Sequence, residues 1–483
     1  MHHAFSRSSV SSSLLSLAAC FAVASCGTAP DTHVQLGAQD PEAQEPGAQQ
    51  SSGQDPSPGE GHADVVIDKA SHASLDLGAA NTGISFGNSK NWSGLRFNWR
   101  DWDAESVNGF NLTLWSPRGY GIDEFQGIAV GIAPAARNSS GLRAGLATVS
   151  DNSNGIEVAA IAAVSKGNTK GIRAAGLATV AEGSSDGIGL AGIATITEGR
   201  SRGLHVAGIA TVSEGGMQGI HAGAIATVSG KDMMGLQIGG FAAVAEGSIS
   251  GISAAGFAVV GEGNITGLSA GGLATVAGKD MLGVQVAGLV TVAEGSMAGV
   301  SVAGVAVVAE QDLAGLHAAG LATVSEGTIL GIGVSGLSTI SEKSITGIEA
   351  AGLAIVADEG VRGIGVAGLL LADTKHEPWA FMPRGPDVEE SSSSNNRGIL
   401  VAGLRADASS VEGITIAGLV NRSHDFDGVG ISAHNSVSGM QRGLQVGVFN
   451  YAEDLCGVQV GLLNYVPSNP WYLRWMPLVN FRF

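Results

Sequence analysis

A glycine recurs every sixteen residues through the middle of this chain, and that period constrains the fold more than any other feature of the sequence. Numbered from this glycine as position zero, every unit has Ile, Leu or Val at position one and Ile, Leu, Val or Phe at position six. The repeating glycines are Gly155, Gly171, Gly187, Gly203, Gly219, Gly235, Gly251, Gly267, Gly283, Gly299, Gly315, Gly331, Gly347 and Gly363. A period kept over so many units predicts a stack of similar coils, each stabilised by its neighbours.

The pattern within each unit is typical of β-strands. Apolar residues at positions one and three with a polar or small residue at position two have period two, and a helix would not tolerate two or three glycines per unit. A bend at the glycine of position five would turn positions one and six inward and leave position two exposed. We therefore predict an all-β fold, a β-solenoid of about sixteen-residue coils that stack about 4.8 Å apart.

Composition supports an ordered repeat and limits the partners. The chain has 483 residues, of which 74 are glycine, and 44% are apolar, which is too many for wholesale disorder. With 25 Lys and Arg against 43 Asp and Glu, the net charge of -18 argues against nucleic acid as a partner. The glycines gain a geometric reason if they recur at the corners of stacked coils, where φ is positive or backbones approach closely.

The N-terminus predicts an export signal and a lipid anchor. Residues 1–26 read as a lipoprotein signal peptide with an apolar stretch too short to span a bilayer. Two cysteines follow small residues, and we favour Cys26 over Cys20 as the lipidated residue because cleavage there leaves a polar mature N-terminus. Residues 27–80, rich in Gln, Pro, Gly and Ser, are expected to form a disordered tether.

The remaining residues divide by repeat length and aromatic content. We expect an N-terminal cap with the first coils over 81–134, the sixteen-residue solenoid over 135–372 and a polar loop insertion over 373–397. Units of fifteen and fourteen residues follow over 398–470, and a C-terminal cap over 471–483. Every Trp and Tyr lies outside 121–378, so aromatic-rich caps are expected at both ends.

The late units resemble a family of bacterial surface-repeat lipoproteins. Gly443 begins the unit Gly-Leu-Gln-Val-Gly-Val-Phe-Asn, and Gly457 begins Gly-Val-Gln-Val-Gly-Leu-Leu-Asn. The family carries tandem Gly-[Val/Leu]-Gln-[Val/Ile]-Gly-Leu-[Val/Ile/Leu]-Asn units behind an export signal. The resemblance covers about residues 83–483 and is looser in the sixteen-residue units. It implies placement at the cell surface or outer membrane, and it supplies no catalytic residues and no ligand.

Side chains that could carry chemistry fall into three rows. Position eleven is acidic in most units, and stacking would place Glu294, Glu310, Glu326 and Glu342 on one ridge as a weak candidate metal site beside the simpler reading of a solvated turn. His205 and His221 share position two, where exposed polar side chains are expected rather than a metal pair. The recurrent Thr at position eight is explained by β-propensity.

These observations predict a non-enzymatic, lipid-anchored repeat protein with a structural or interaction role at the outer membrane. We find no nucleophile elbow, no phosphate loop and no Ser, His and acid grouping that the repeats would bring together, so no catalytic residue, cofactor or small-molecule substrate is expected. The expected partners are the membrane, through the anchor, and other cell-surface components. The alternative is an outer-membrane β-barrel with a pore or scaffold role, in which each repeat would be one strand.

Overall fold

The computed structural model describes residues 74–372 and 394–482, and within these ranges the regular structure is entirely β. The described residues divide into two compact units, each built as a β-solenoid. The first contains residues 74–151 and 157–164, and the second contains 152–156, 165–372 and 394–482. The predicted fold class is confirmed. The predicted signal peptide with Cys20 and Cys26, and most of the predicted tether, lie outside the described residues.

The first unit begins with a hairpin and continues as parallel coils. Strands β1 and β2 pair antiparallel, and each later strand pairs in parallel with the strand before it. Its strands are β1 Ser74–Ala79, β2 Thr82–Gly87, β3 Asn91–Asn98, β4 Ala104–Thr113, β5 Ile122–Gly131 and β6 Ala135–Ser165, the last of which also runs through residues of the second unit. Since β1 is a paired strand, the predicted tether ends before Ser74 rather than at residue 80.

From Thr169 to Ala372 the second unit repeats a long and a short strand in every coil, and from Arg405 onward these segments merge into longer strands. Its strands are β7 Thr169–Ala175, β8 Ala178–Ala181, β9 Ser185–Ala191, β10 Ala194–Thr197, β11 Ser201–Ala207, β12 Ala210–Ser213, β13 Met217–Gly223, β14 Ala226–Ser229, β15 Met233–Gly239, β16 Ala242–Ala245, β17 Ile249–Ala255, β18 Ala258–Gly261, β19 Ile265–Gly271, β20 Ala274–Ala277, β21 Met281–Ala287, β22 Val290–Ala293, β23 Met297–Ala303, β24 Ala306–Ala309, β25 Leu313–Ala319, β26 Ala322–Ser325, β27 Ile329–Ser335, β28 Ser338–Ser341, β29 Ser344–Ala351, β30 Ala354–Ala357, β31 Gly360–Ala367, β32 Leu370–Ala372, β33 Asn395–Ala402, β34 Arg405–Ala417, β35 Val420–Ile431, β36 His434–Tyr465 and β37 Trp475–Arg482.

Stacking follows the sixteen-residue period. The long strand runs from position fourteen of one unit to position four of the next, and the short strand covers positions seven to ten, so the chain bends at positions five and six as predicted. Long strands pair in parallel with long strands and short with short, and in the pair β21 and β23 Gly283 is opposite Gly299. The alternative prediction of an outer-membrane β-barrel is wrong, because neighbouring strands of such a barrel pair antiparallel, whereas these strands pair in parallel.

The glycine of position zero is required by its backbone. Gly283 has φ of 117°, a conformation that other residues rarely adopt, and a Cβ on it would overlap the carbonyl oxygen of Gly267 in the preceding coil. The glycine of position five meets the same obstacle without a positive φ, since a Cβ on Gly288 would overlap the carbonyl oxygen of Gly272. Gly288 lies at a bend, as predicted, whereas Gly283 lies inside the long strand β21 and not at a corner. Both positions require glycine because the backbones of neighbouring coils stack closely.

The predicted inward and outward faces are wrong. Positions one and six point outward, so Leu316 is 50% exposed and Leu321 is 46% exposed. The interior instead holds positions fourteen, two and four of the long strand and positions eight and ten of the short strand. Period two separates the two faces of a strand but does not say which one is buried. Here the small side chains of positions four, eight and ten suit the narrow space between the two sheets.

Position fourteen supplies most of the large apolar core of the second unit. These side chains are at most 2% exposed, and they are Met217, Met233, Ile249, Ile265, Met281, Met297, Leu313, Ile329 and Ile345. Polar residues beside them bond to backbone at the bends; Thr211 Oγ1 donates to the carbonyl of Ala222 at 3.0 Å, and Ser213 Oγ donates to that of Gly216 at 2.9 Å. The interior is thus partly apolar and partly polar, and its polar side chains include hydrogen-bonded ones and ones without a partner among the described residues, such as Gln237 and Gln285.

The insertion does not disturb the stack. Gly363 is opposite Gly398 in the pair β31 and β33, although the predicted insertion over 373–397 separates them in sequence. Residues 373–393 lie outside the described ranges, and Asn395–Arg397 already belong to β33, so the last residues of the predicted insertion form part of a coil. The fifteen-residue units keep glycine opposite glycine from Gly398 to Gly443, with one register shift between Ser423 and Phe426.

Both ends of the described chain carry aromatic clusters, as predicted, and antiparallel strands pair with the terminal coils. In the first unit Phe86 and Phe97 stack with ring centroids 5.5 Å apart. In the second, β37 pairs antiparallel with β36, and Trp475 of β37 stacks on Tyr465 at 4.2 Å. The terminal strands satisfy backbone groups that an open solenoid edge would present, and the rings cover the apolar surface beside them.

Candidate functional site

The residues at position two of the long strands form a buried polar row in the second unit, which we call the position-two row. None is more than 4% exposed. Its polar members in the sixteen-residue units are Arg173, His205, His221, Gln237, Ser253, Ser269, Gln285, Ser301, His317 and Glu349, and Thr415, Gln445 and Gln459 follow in the later units. The prediction that His205 and His221 are exposed is therefore wrong, since position two shares a strand face with the buried positions fourteen and four.

Two stacked histidines lie at one end of this row. The rings of His205 and His221 are parallel within 4°, and their centroids are 5.2 Å apart. The Nε2 atom of His205 lies 3.1 Å from Ser185 Oγ, and that of His221 lies 3.1 Å from Ser201 Oγ. Because each Nε2 already has a serine partner, the pair is arranged as a hydrogen-bonded structural element.

Glycine makes room for the large side chains of the row. A Cβ on Gly189 would lie 2.6 Å from Cδ2 of His205, so the imidazole occupies space that any other residue would fill. From the coil on the other side of Gly189, Arg173 Nη2 donates to Ser185 Oγ at 3.0 Å, the same hydroxyl that meets His205. Burial lowers the pKa of Arg173 to about 10.

Both histidines are held neutral by their surroundings. Burial, together with the nearby charges of His221 and Arg173, lowers the pKa of His205 to about 3. Burial also lowers the pKa of His221 to about 4. Since an unfolded histidine has a pKa near 6.5, the unfolded chain binds protons below that pH that the folded chain does not. Stability is complete above about pH 6.5 and falls as the pH drops toward 4 and then 3.

We expect acid destabilisation that depends on this pair. Each histidine should lower the free energy of unfolding by about 1.4 kcal/mol per pH unit between its two pKa values. The double variant His205→Gln with His221→Gln keeps a polar residue of the type found at Gln237 and should lose less thermal stability between pH 7 and pH 5. Circular dichroism melts at both pH values measure this, and equal losses in the variant and the parent would contradict it.

A second buried pair spans two coils. His317 Nε2 and Glu349 Oε2 are 3.0 Å apart although they are two coils from each other, because Gly333 lies between them and leaves the space open. Glu349 Oε1 accepts a hydrogen bond from Thr339 Oγ1 at 2.7 Å, and Thr339 Oγ1 lies 2.9 Å from Ser335 Oγ. The glycine between two large polar residues is the sequence signal for this pair, and it recurs at Gly189.

The repeats bring a serine, a histidine and an acid into one row, contrary to the prediction that no such grouping forms. Ser301, His317 and Glu349 are stacked at position two, and each is at most 4% exposed. The Ser301 hydroxyl contacts Met297 Sδ at 3.8 Å instead of His317. In the described structure their contacts are with other buried side chains, namely Met297 for Ser301 and the His317–Glu349 pair with Thr339.

The first unit has its own buried polar cluster. Arg96 forms an ion pair with Asp101, and Arg96 Nη2 donates to Asn88 Oδ1 at 2.7 Å. Asn111 Nδ2 donates to Asp101 Oδ2 at 3.2 Å, and Thr113 Oγ1 donates to the same oxygen. Because the charges are paired and hydrogen-bonded, the cluster stabilises the first coils rather than presenting a charged surface.

The acidic ridge lies at the bend between the short strand and the next long strand. Glu294, Glu310, Glu326 and Glu342 are exposed there. Burial and the neighbouring carboxylates of Glu182 and Glu214 raise the pKa of Glu198 in the same ridge. Within residues 74–372 and 394–482, no group of three or more His, Cys, Asp or Glu side chains is arranged to hold a metal ion. The weak candidate metal site stays a prediction without a coordination geometry.

The side chains at positions one and six form an apolar outer surface. Exposed side chains at position one are Ile172, Ile188, Ile220, Ile252, Leu268, Val284, Leu316, Ile332, Ile348 and Ile364. Exposed side chains at position six are Leu177, Ile193, Ile209, Ile225, Phe241, Phe257, Leu289, Leu321, Leu337, Leu353 and Leu369. Contiguous apolar surface of this extent marks an interaction site in a soluble protein.

Comparison of this chain with known proteins found no relative. No protein-family model, no curated protein and no solved structure matches the chain. The resemblance to bacterial surface-repeat lipoproteins therefore stays a prediction from the late units. Among the described residues, no helix has the length and apolarity needed to cross a bilayer.

Proposed function

We propose that this chain is a non-enzymatic, lipid-anchored surface-repeat protein whose solenoid serves as a structural or interaction surface at an outer membrane. The observation that carries the proposal is the division of side chains in the second unit. Its histidines and serines at position two are buried, whereas most of its side chains at positions one and six are exposed and apolar. A reactive group needs an approach for substrate, and an exposed aliphatic surface favours association.

The anchor is the part of this proposal that the sequence supports. Cys26 follows Val23, Ala24 and Ser25, a lipobox-like sequence, and Ser74 begins the first strand. If the residues between them behave as a flexible chain, their end-to-end distance is about 40 Å. A lipidated Cys26 would then hold the solenoid near the membrane without contributing to its fold.

Separate cysteine substitutions test the anchor. We expect Cys26→Ala to abolish incorporation of labelled palmitate and to release the protein from the membrane fraction, because the acylated sulfur is lost. The matched variant Cys20→Ala should keep the label, and globomycin should block processing of the parent. Loss of label only in Cys20→Ala would move the anchor to Cys20, and label retained in both variants would contradict the proposal. Protease treatment of intact cells then separates the cell surface from the periplasmic face.

A further inference from the structure

One face of the second unit is both apolar and uncharged over a limited length. The outward side chains of the long strands there, which we call the long-strand face, come from positions fifteen, one and three. They are Gln218, Ile220, Ala222, Met234, Leu236, Ile238, Ser250, Ile252, Ala254, Thr266, Leu268, Ala270, Leu282, Val284, Val286, Ala298, Val300, Val302, Ala314, Leu316, Ala318, Leu330, Ile332, Val334, Thr346, Ile348 and Ala350. No member carries a charge, and Leu282, Leu316 and Leu330 are 50% exposed or more.

Charged residues bound this face at both ends. Position fifteen is Arg202 in the coil before it and Arg362 in the coil after it, followed outward by Asp186 and Arg397. An apolar centre with a charged rim is the anatomy of a protein interface. A lipid surface would not explain this limit, because position one stays aliphatic beyond both arginines.

The face has the regularity that a second copy would match. From β13 to β29 every long strand pairs with the next in unbroken sixteen-residue register. A second copy carries outward side chains at the same spacing of about 4.8 Å over the same number of coils, and two sheets pack face to face about 10 Å apart. Position three varies between Ala and the larger Val or Ile, which leaves hollows and ridges for interdigitation.

The area is sufficient for a stable dimer. About nine coils at ~4.8 Å give a length of about 43 Å, and five residues of strand give a width of about 16 Å. The product is roughly 700 Å² on each copy and roughly 1,400 Å² in total, within the range of stable interfaces. Charge also favours this face. The chain has a net charge of -18, and the exposed glutamates at the opposite bend would repel a second copy that approached from that side.

We propose that two copies of this chain associate through the long-strand face. The interface is a sheet-on-sheet contact in which Leu268, Val284 and Leu316 lie at the centre and the arginines at positions 202 and 362 lie at the rim. It does not depend on the lipid anchor, so the dimer and the anchor are tested separately.

Sedimentation velocity of the full chain tests the proposal. The parent carries Cys20→Ala, Cys26→Ala and Cys456→Ser, so that neither an acyl chain nor the exposed thiol contributes to association. We expect a dimer at micromolar concentrations. Leu316→Lys, which would bury a charge at the centre of the interface, should weaken association at least ten-fold.

The matched control lies five residues away in the same coil. Leu321→Lys adds the same charge at a side chain that is 46% exposed, against 50% for Leu316, but on the bend outside the long-strand face. It should leave the dimer intact, and circular dichroism should show both variants folded. A monomeric parent at all concentrations would overturn the proposal, as would equal loss in both variants. A monomer that floats with phosphatidylcholine vesicles would instead assign the face to lipid.

Discussion

The substitution Gly283→Ala is expected to destabilise the solenoid by about 3 kcal/mol or more. At φ of 117° an alanine is strained, and its Cβ would overlap the carbonyl oxygen of Gly267. Because the obstacle is backbone held by the parallel ladder, neither rotamer changes nor small side-chain shifts relieve it. We expect a lower urea midpoint of unfolding and faster amide hydrogen exchange in the strands next to Gly283.

A glycine two coils away provides the matched control. Gly261 at position ten has no left-handed φ, and a Cβ on it would meet only Ile249 and Ile265 side-chain atoms at 3.4 Å. The strands that pair with it carry Ala245 and Ala277 at the equivalent position. Gly261→Ala should therefore be neutral or stabilising by about 0.5–1 kcal/mol. Similar losses in both variants would show that close backbone stacking is not what position zero requires.

The substitution Gly333→Ala is expected to cost about 3 kcal/mol through a different cause. Its Cβ would occupy the space where His317 Nε2 meets Glu349 Oε2, so the two side chains would separate inside the protein. Glu349 would be left with a buried carboxylate oxygen that has lost its partner. A lower urea midpoint measures the effect.

A double-mutant cycle distinguishes this cause from backbone strain. Replacing His317 and Glu349 by serine gives the residue type that position two already has at Ser253 and Ser269. In that background the space around Gly333 is free, and adding Gly333→Ala should change stability by less than about 1 kcal/mol. If the alanine is as harmful there as in the parent chain, the pair does not explain the glycine.

Much of the fold could be predicted from local pattern. The period fixed the stacking of Gly283 on Gly267, the two strands of each coil, the bend at position five and the aromatic ends. The buried side could not be predicted in this way. Positions one and two alternate whichever face is inside, and hydrophobicity alone predicted that the aliphatic residue would be the buried one. Leu316 and His317 show the reverse assignment, with the leucine outside and the histidine buried.

Prediction of the candidate site also required knowing which face of the long strand is buried. The row from Arg173 to Glu349 could be recognised as a row from sequence, because its members share one position, but its partners are set by distances across coils. His317 reaches Glu349 only because an intervening glycine is stacked between them, and Ser185 meets both Arg173 and His205 for the same reason. These contacts join residues 12 to 32 positions apart and leave no short motif.

The sequence by itself determined the repeat, the β-solenoid and the bend at the glycine of position five, because a period kept over so many units requires each coil to stack on a similar one. Only the tertiary structure decided what lies between the two sheets. A narrow interior accepts small and hydrogen-bonded side chains at positions two, eight and ten, and the apolar residues of position fourteen complete it. The remaining aliphatic residues are then left on the outer surface, where they support the proposed role in association.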